Sequence, residues 1–300
     1  MRSKDVIESI GNTPLVEIAR MSPNKNVRIF AKLEGQNTGG SGSMKDRIAK
    51  YMIEAAERNG ELTHDKTMLE ATSGNTGIAL SMIARRKGYK IKIVMPESMS
   101  VERRHILKLY GAELILSSAE GGVNGAVQVA QDMAAESDKY FVPDQFGNPA
   151  NPLAHYETTG PEILADMGDL KIDVFIAGVG TGGTVTGVGR RLKEHNPDTK
   201  VIGVEPFVDD PVQGLRSLKA GFIPPIIDLR IMDERPEVSN KDAELAVVEL
   251  LNKEGIFAGV SSGVVIHQAI KIAREMDSGN IVVVLADGGF KYLSSMIFYE

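Results

Sequence analysis

The chain has 300 residues, of which 42% are hydrophobic and 25% are charged, a composition typical of a globular protein with one large domain or two ordinary ones. The net charge of −6 at pH 7 gives no general attraction for nucleic acid or for an anionic membrane surface. Cysteine is absent, which excludes disulfides, thiolate catalysis and cysteine-ligated metals. The five histidines are scattered without an i, i+4 pair, so we expect no metal site.

The N-terminal segment lacks the uninterrupted apolar run of a signal peptide. Elsewhere no stretch approaches the ~18 apolar residues of a membrane helix. We therefore expect a cytoplasmic protein that does not contact a membrane.

In the first half of the chain, short apolar runs alternate with helical periodicity. Strands are predicted at 67–71, 90–95 and 112–116. Helices are predicted around 44–56 and 78–83, and over 101–110 and 124–135. This βαβα series implies a parallel sheet that is covered on both faces.

The second half repeats the pattern. Strands are predicted at 173–177, 201–204 and 281–286, and helices at 184–195, 241–254 and 264–275. The segment 143–161 is rich in Pro, Gly and Asn and has no clear period, so we interpret it as the crossover between two domains. The sequence predicts an α/β protein with two parallel-sheet domains.

Turns rich in glycine or hydroxyl residues precede predicted helices at 39–47, 72–77, 178–184 and 259–263. Each one alone could be an ordinary loop with a capped helix. In open parallel sheets, however, ligands bind where such turns cluster at the carboxyl ends of strands. The four turns together indicate one ligand site to which both domains contribute.

The turn at 178–184 follows a strand and opens a helix, a geometry that suits a phosphate group. It also satisfies Gly-x-Gly-x-x-Gly at Gly178, Gly180 and Gly183, and Glu205 ends the next strand. That pattern is the fingerprint of a dinucleotide site, although its specificity is weak. On this segment alone, both interpretations stay open.

Lys45 lies at the start of a predicted helix, directly after a Gly/Ser turn. The positive end of the helix dipole disfavours an ammonium ion at that position. We therefore expect an amine suited to nucleophilic chemistry. The alternative is a solvated surface lysine.

A nucleophilic lysine, a phosphate-binding turn and two hydroxyl-rich turns together indicate pyridoxal 5'-phosphate (PLP). At these motifs the sequence resembles the cysteine synthases, the β-replacing PLP enzymes of fold type II with tryptophan synthase β-like architecture. The resemblance runs almost end to end. It rests on IGNTPLV, KLE, SMKDR, EATSGNTGIAL, YGAELIL, DQFGNPANP, TGPEI, GTGGT, EGIFAGVSSG and YLS.

The resemblance implies a smaller, mobile substrate-binding domain at 38–145 and a larger cofactor-binding domain made of 1–37 and 146–300. It also implies a homodimer. Within the cofactor site, Lys45 would form the Schiff base with PLP, Asn75 would bind the ring hydroxyl and Ser261 would meet the pyridine nitrogen. Ser261 could instead cap its helix. The cofactor phosphate would be held by Gly180, Thr181, Gly182, Gly183 and Thr184.

The same resemblance assigns a second set of residues to the substrate carboxylate. These are Thr72, Ser73, Thr76 and Gln145. The segment GLRSLKAGFIP is similar to the B- and M-type enzymes, most of all to those that use O-phosphoserine. In that group an arginine, here Arg216, selects the phosphate of the substrate; the alternative is a solvated loop residue.

Two departures from the family pattern concern loops. The turn NTGGSGSMK before Lys45 is two residues longer than the family's and lacks its proline, so we expect it to be looser. Because the chain stops soon after YLSSMIF, we expect no C-terminal lid over the site.

We expect synthesis of L-cysteine from an activated serine, with O-phosphoserine favoured over O-acetylserine. The sulfur donor could be sulfide, thiosulfate or a small thiocarboxylate carrier protein. Cystathionine β-synthase and serine/threonine dehydratase activities are alternatives in the same fold. A nicotinamide-dependent enzyme and a non-catalytic scaffold are more remote alternatives.

Overall fold

The computed structural model describes residues 2–72, 74–98 and 101–293. The strands are β1 (Leu15–Glu17), β2 (Val27–Leu33), β3 (Thr67–Ala71), β4 (Lys90–Pro96), β5 (Glu113–Ser117), β6 (Tyr140–Phe141), β7 (Val174–Gly178), β8 (Lys200–Pro206), β9 (Glu237–Val238) and β10 (Gly279–Leu285). The helices are α1 (Lys45–Asn59), α2 (Asn75–Lys87), α3 (Val101–Leu109), α4 (Gly122–Ala135), α5 (Ala150–Ala154), α6 (Gly160–Met167), α7 (Gly183–His195), α8 (Asn240–Glu254) and α9 (Val260–Glu275).

The chain divides into two compact units. Unit 1 consists of Met1–Ile10 and Thr38–Ala150, and unit 2 of Gly11–Asn37 and Asn151–Glu300. The assignment of a mobile substrate domain and a cofactor domain to particular parts of the chain stays a prediction.

Unit 1 contains a four-stranded parallel sheet in the order β5–β4–β3–β6. Its central strand, β3, lies between β4 and the short β6. Leu69 and Val94 on the sheet pack with Ala126 and Ala130 on α4. Because all four strands are parallel, the chain leaves β3 and β6 at the same edge, which places the segments that follow them side by side.

Unit 2 contains a six-stranded sheet in the order β1–β2–β10–β7–β8–β9, in which only the edge strand β1 runs antiparallel. The apolar run in strand β10 is explained by burial on both faces of the sheet. Ile281 and Val283 face the core shared with α8 and α9, whereas Val282 and Val284 face the core shared with α6 and α7. A sheet covered on both faces requires this pattern, and the predicted α/β class is confirmed.

The segment 143–161, which we interpreted as the crossover between two domains, contains regular structure: α5, a π-helical turn at His155–Thr159 and the start of α6. The division between the two units falls within it, after Ala150. Pro161 does not prevent a helix because it lies in the first turn of α6, where the missing N–H is not needed. Helix α9 begins at Val260 rather than 264, so the serines of GVSSG lie inside its first turn.

Strand β2 was not predicted, and the reason is a charge inside it. Lys32 is fully buried, and its Nζ donates to the backbone oxygen of Thr13 at 2.6 Å. Ion pairs of 3.0 Å with Glu162 and Asp166 neutralise it. A buried lysine is tolerated only with such partners, which a one-dimensional pattern does not reveal.

Across residues 2–72, 74–98 and 101–293, no helix is long and apolar enough to cross a membrane.

Candidate active site

The turn before Lys45, residues 39–44, is closed by its own hydrogen bonds. The buried Asp46 carboxylate accepts the backbone N–H groups of Ser41 at 3.0 Å and Ser43 at 3.2 Å. The two serine hydroxyls lie 2.7 Å apart, and Ser43 Oγ accepts the N–H of Lys45 at 3.1 Å. The longer turn is therefore organised around Asp46, which opposes the loosening expected from the missing proline.

Lys45 is the first residue of α1, as the sequence predicts. Its neighbours Asp46 and Arg47 are both buried. The acidic Asp46 suits the positive helix end, and its two backbone contacts fix where the helix begins. This arrangement sets the position of the lysine backbone.

The segment 72–77, which we call the carboxylate turn, connects β3 to α2. Thr72 is buried, and its hydroxyl accepts the N–H of Gly74 at 3.3 Å. Gly74, the residue before α2, has no side chain that could cap the helix, and Asn75 opens it. The first-turn N–H groups at a helix start are suited to an anion. Ser73 lies outside the described residues.

Gln145 reaches the carboxylate turn from 69 positions further along the chain. The buried hydroxyl of Thr76 donates to Gln145 Oε1 at 2.7 Å. Unit 1 thus brings together Thr72, Thr76 and Gln145, three of the four residues predicted to hold a substrate carboxylate.

One buried acid in this region was not predicted. Glu70, in β3, is 3% exposed, and its carboxylate accepts the N–H of Asp144 at 3.2 Å. Burial raises the pKa of Glu70 to about 8, and the negative charge of Asp144 adds to this shift. Backbone N–H bonds from Gln145 and Asp144 act in the opposite direction but are outweighed.

In unit 2, the phosphate loop (178–184) connects β7 to α7 and has no room for side chains at its glycines. A Cβ on Gly180 would lie 2.7 Å from the backbone oxygen of Gly214, and one on Gly183 would lie 1.9 Å from Asn151 Oδ1. Gly182 has a φ of +82°, a left-handed conformation that glycine adopts without steric cost. The loop therefore presents main chain at the start of α7.

The two threonines of the phosphate loop are held by residues that sequence reasoning missed. Asn151 Nδ2 donates to Thr181 Oγ1 at 3.1 Å. The ring of buried His155 places Nε2 3.2 Å from Thr184 Oγ1 and Nδ1 3.0 Å from Thr159 Oγ1. Asn151 belongs to the motif DQFGNPANP, which was the only sequence feature that could have drawn attention to it. The sequence does not indicate that Asn151 or His155 contacts the phosphate loop.

Ser261 does not cap its helix, because it lies inside α9 and Gly259 occupies the capping position. Ser261 is buried, and Ser262 Oγ is buried with no hydrogen-bond partner among the described residues. A buried hydroxyl without a partner is costly unless a ligand or water completes it. The pair therefore fits a polar ligand atom at this helix start.

Arg216 lies on a segment that contacts the phosphate loop. Its N–H donates to the backbone oxygen of Val179 at 2.8 Å. Its guanidinium carbon lies 4.8 Å from the centroid of the Phe222 ring, and burial lowers its pKa. A Cβ on Gly214 would lie 4.0 Å from Ser261 Cβ. Unit 2 thus places the phosphate loop, the Arg216 segment and Ser261 together.

Glu205, the acid that the dinucleotide interpretation needs, is engaged by the protein. Its buried carboxylate accepts the N–H of Leu218 at 2.7 Å and lies 3.6 Å from Arg235 Nη1. It serves to hold the segment after Arg216, which removes the support for a ribose contact.

The donors fit PLP. The amine of Lys45 suits the aldehyde of PLP. The glycine loop, with the hydroxyls of Thr181 and Thr184, suits the phosphate, and the hydroxyl of Ser261 suits the pyridine nitrogen. The described part of the chain contains no group of three or more His, Asp or Glu side chains that could hold a metal ion.

A two-unit α/β fold with these donors is that of a PLP-dependent enzyme of fold type II. The sequence model of the family described as pyridoxal-phosphate dependent enzyme matches residues 6–287. The chain is 43% identical over 293 residues to cysteine synthase B of Escherichia coli (strain K12), covering 98% of this chain and 95% of that protein. Cysteine synthase B of Salmonella typhimurium matches to the same extent. The chain belongs to the cysteine synthase family of PLP-dependent enzymes.

Solved structures agree with this assignment. A hydrogen sulfide-producing enzyme from Fusobacterium nucleatum is 42% identical with a TM-score of 0.91, covering 97% of this chain and 100% of that one. Cysteine synthase from Entamoeba histolytica is 37% identical with a TM-score of 0.93, covering 100% and 92%. An O-ureido-L-serine synthase is 36% identical with a TM-score of 0.93, covering 100% and 96%.

Proposed function

We propose that the protein forms L-cysteine by replacing the β-substituent of an activated L-serine, with PLP bound through Lys45. The observation that carries this proposal is the carboxylate turn. Thr76 and Gln145 are hydrogen-bonded to each other at 2.7 Å beside the start of α2. They form a site for the substrate carboxylate in unit 1, and the phosphate loop forms a site for the cofactor phosphate in unit 2. An amino acid bound to PLP carries both of these anionic groups. Cysteine synthase relatives support the reaction.

When bound, PLP withdraws electrons from the α-carbon of the amino acid. Lys45 then takes the α-proton as general base and returns it at the end. The C–O bond at Cβ breaks with its electron pair on the leaving group, and a sulfur nucleophile forms the C–S bond. Thr72, Thr76, Gln145 and the N–H groups at the start of α2 hold the carboxylate and orient the substrate. Ser261 would meet the pyridine nitrogen without holding a positive charge there, which favours elimination at Cβ over transamination.

The two halves of the reaction can be followed separately. An activated serine added alone should shift the visible absorbance of the bound cofactor, and sulfide should restore the original spectrum with release of one L-cysteine per site. An unchanged spectrum in folded, PLP-loaded protein would contradict β-replacement. Release of ammonia and pyruvate instead of cysteine would favour the dehydratase alternative.

We further propose that O-phosphoserine is the preferred substrate because of Arg216. The guanidinium is partly desolvated and stacked on Phe222, so less water must be displaced and fewer rotamers are lost on binding an anion. It can grip a phosphate dianion with two charge-assisted hydrogen bonds, whereas an acetyl ester offers a neutral carbonyl. The sulfur donor stays open between sulfide, thiosulfate and a thiocarboxylate carrier protein, and the resemblance supports a homodimer.

Replacing Arg216 should therefore affect the two substrates unequally. Hydrogen bonds to a charged group contribute ~1.5–3 kcal/mol, so kcat/KM for O-phosphoserine should fall roughly 10- to 150-fold in Arg216→Ala. For O-acetylserine the change should be slight. Both values are measured in wild type and variant, with cofactor content as the control for the neighbouring phosphate loop. An equal fall for both substrates, or a wild type that does not use O-phosphoserine, would restore O-acetylserine as the better assignment.

A further inference from the structure

Glu70 is a buried acid to which the proposed reaction assigns no step. It lies in β3, two positions before the carboxylate turn, and it is 3% exposed. Its carboxyl group accepts backbone N–H groups from both Asp144 and Gln145, the former at 3.2 Å. Two consecutive main-chain donors on one buried side chain fix the course of that segment beside the strand.

The segment that Glu70 holds has an unusual backbone. Asp144 has a φ of +51°, in the left-handed region that residues other than glycine rarely adopt. Its Oδ1 accepts the N–H of Gly147 at 3.1 Å, and its backbone oxygen accepts the N–H of Asn148 at 2.9 Å. These bonds hold the downstream side of the bend, while Glu70 holds the N–H groups that face the sheet.

The consequence of this bend is the direction of the next side chain. Gln145 follows the left-handed residue directly, and its Oε1 accepts the Thr76 hydroxyl at 2.7 Å. A different φ at Asp144 would redirect Gln145 away from Thr76. The chain of contacts therefore runs from Glu70 through the main chain of 144–145 to the carboxylate turn.

We infer that Glu70 is a positioning residue for the substrate carboxylate, acting through the backbone of Asp144 and Gln145 to hold the Gln145 amide against Thr76. This inference rests on the proposed function only in that Gln145 and Thr76 bind a carboxylate.

The chemistry of the side chain supports this role. A protonated carboxyl group keeps a carbonyl oxygen whose two lone pairs can accept both N–H groups, and the amide of glutamine keeps one such oxygen. The protonated form favoured by burial also places no negative charge beside a site that must bind an anion. Alanine at this position would leave both N–H groups without their acceptor.

The test is equilibrium binding of two probes to PLP-loaded protein, followed by the cofactor absorbance. L-Alanine carries a carboxylate, and ethylamine is the same molecule without it. Because each buried hydrogen bond lost costs ~1–3 kcal/mol, the Kd of L-alanine should rise roughly 5- to 150-fold in Glu70→Ala. The Kd of ethylamine should stay within ~2-fold of wild type. Glu70→Gln, which keeps the shape and one acceptor, should recover part of the L-alanine affinity.

A double-mutant cycle with Gln145→Ala separates this role from general support of the fold. If Glu70 acts through Gln145, the double variant should bind L-alanine no more weakly than the weaker single variant, within ~2-fold. Amide hydrogen exchange at 144–148 should accelerate in Glu70→Ala. Asp173→Asn is the matched control, because Asp173 Oδ2 also accepts a backbone N–H, that of Asn280 at 2.8 Å. Asp173 lies before β7 and not at the end of a strand, so we expect unchanged L-alanine binding in this variant.

The inference would be overturned if Glu70→Ala weakened the binding of L-alanine and ethylamine equally, or if the losses in the double-mutant cycle were additive. It would also be overturned if L-alanine binding were unchanged in both Glu70→Gln and Glu70→Ala. If Glu70→Ala does not fold, Glu70→Gln and the exchange data for it decide the question. A wild type that binds L-alanine in this manner yet forms no cysteine would refute the proposed function and leave the role of Glu70 intact.

Discussion

At the scale of single residues, Gln145 tests the division of labour between the two anion sites. Its contact with Thr76 supports our proposal that it binds the substrate carboxylate, whereas Thr181 and Thr184 belong to the phosphate loop. Gln145→Ala should therefore weaken the spectral response to an activated serine by roughly 5- to 150-fold, the effect of one to two hydrogen bonds. Cofactor content and the resting spectrum should stay as in wild type. Loss of bound PLP from folded Gln145→Ala protein would contradict the division.

A second prediction concerns Glu70 and the pH dependence of the free energy of unfolding. Its pKa in the folded protein is about 8 against a usual value of 4.5, so folding favours the protonated form. The stability that this group contributes is complete below its unfolded pKa and is lost as pH rises through about 8. The charged group that acts on it is Asp144, which makes ionisation harder still.

The measurement is the free energy of unfolding by urea between pH 5 and pH 9 for wild type and Glu70→Gln. The difference, wild type minus variant, should fall from pH 5 to about 8 and then level off, because Glu70 is ionised in both states above its folded pKa and the amide does not titrate. A difference that does not vary with pH would show that Glu70 is not protonated in the folded protein.

At the scale of elements, the phosphate loop depends on Gly183. A Cβ there would lie 1.9 Å from Asn151 Oδ1, and the same amide holds Thr181. Gly183→Ala should therefore displace Asn151, lower stability by ~1–3 kcal/mol and weaken PLP binding. Thermal denaturation with and without PLP measures both effects. Gly221→Ala is a suitable comparison, because its left-handed φ of +97° brings backbone strain but no atom lies within 4 Å of its Cβ.

In that comparison, Gly221→Ala should cost stability without loss of PLP affinity. Equal loss of PLP affinity in both variants would mean that the steric argument for the phosphate loop is wrong.

The same elements show what the sequence could predict. Strands β7, β8 and β10 are buried along most of their length, so their apolar runs were recognised. Strand β2 was missed because it contains Lys32, whose charge is compensated by residues far away in the sequence, Glu162 and Asp166 on α6. The helices inside 143–161 were missed because prolines in a first turn read as breakers.

The candidate site also contains features that the sequence could predict and features that it could not. Lys45, the phosphate loop and the carboxylate turn are local motifs, so the sequence predicts their positions at helix starts, and their roles stay predictions. The side chains that position them come from distant segments: Asn151 and His155 reach the phosphate loop, and Glu70 holds Gln145. Such contacts arise only when parallel strands bring their carboxyl ends to one edge, and a single sequence does not encode them as a pattern.

At the scale of the whole molecule, the proposed reaction uses residues of both units. We propose that Lys45 and the carboxylate turn of unit 1 act on the amino acid, and that the phosphate loop and Ser261 of unit 2 hold the cofactor. Cofactor retention should therefore respond to changes at Lys45 and in the phosphate loop, whereas changes in the carboxylate turn should affect the amino acid.

The most direct measurement is L-cysteine formation from O-phosphoserine or O-acetylserine with sulfide, compared in wild type, Lys45→Ala and Lys50→Ala. Lys50 is a second lysine on α1 and serves as the matched control. The proposed function predicts that wild type and Lys50→Ala form cysteine at similar rates. Lys45→Ala should lose nearly all turnover and should carry no PLP that borohydride can fix to the chain. A folded, PLP-loaded wild type that forms no cysteine from either substrate, or a Lys45→Ala variant that retains turnover, would contradict it.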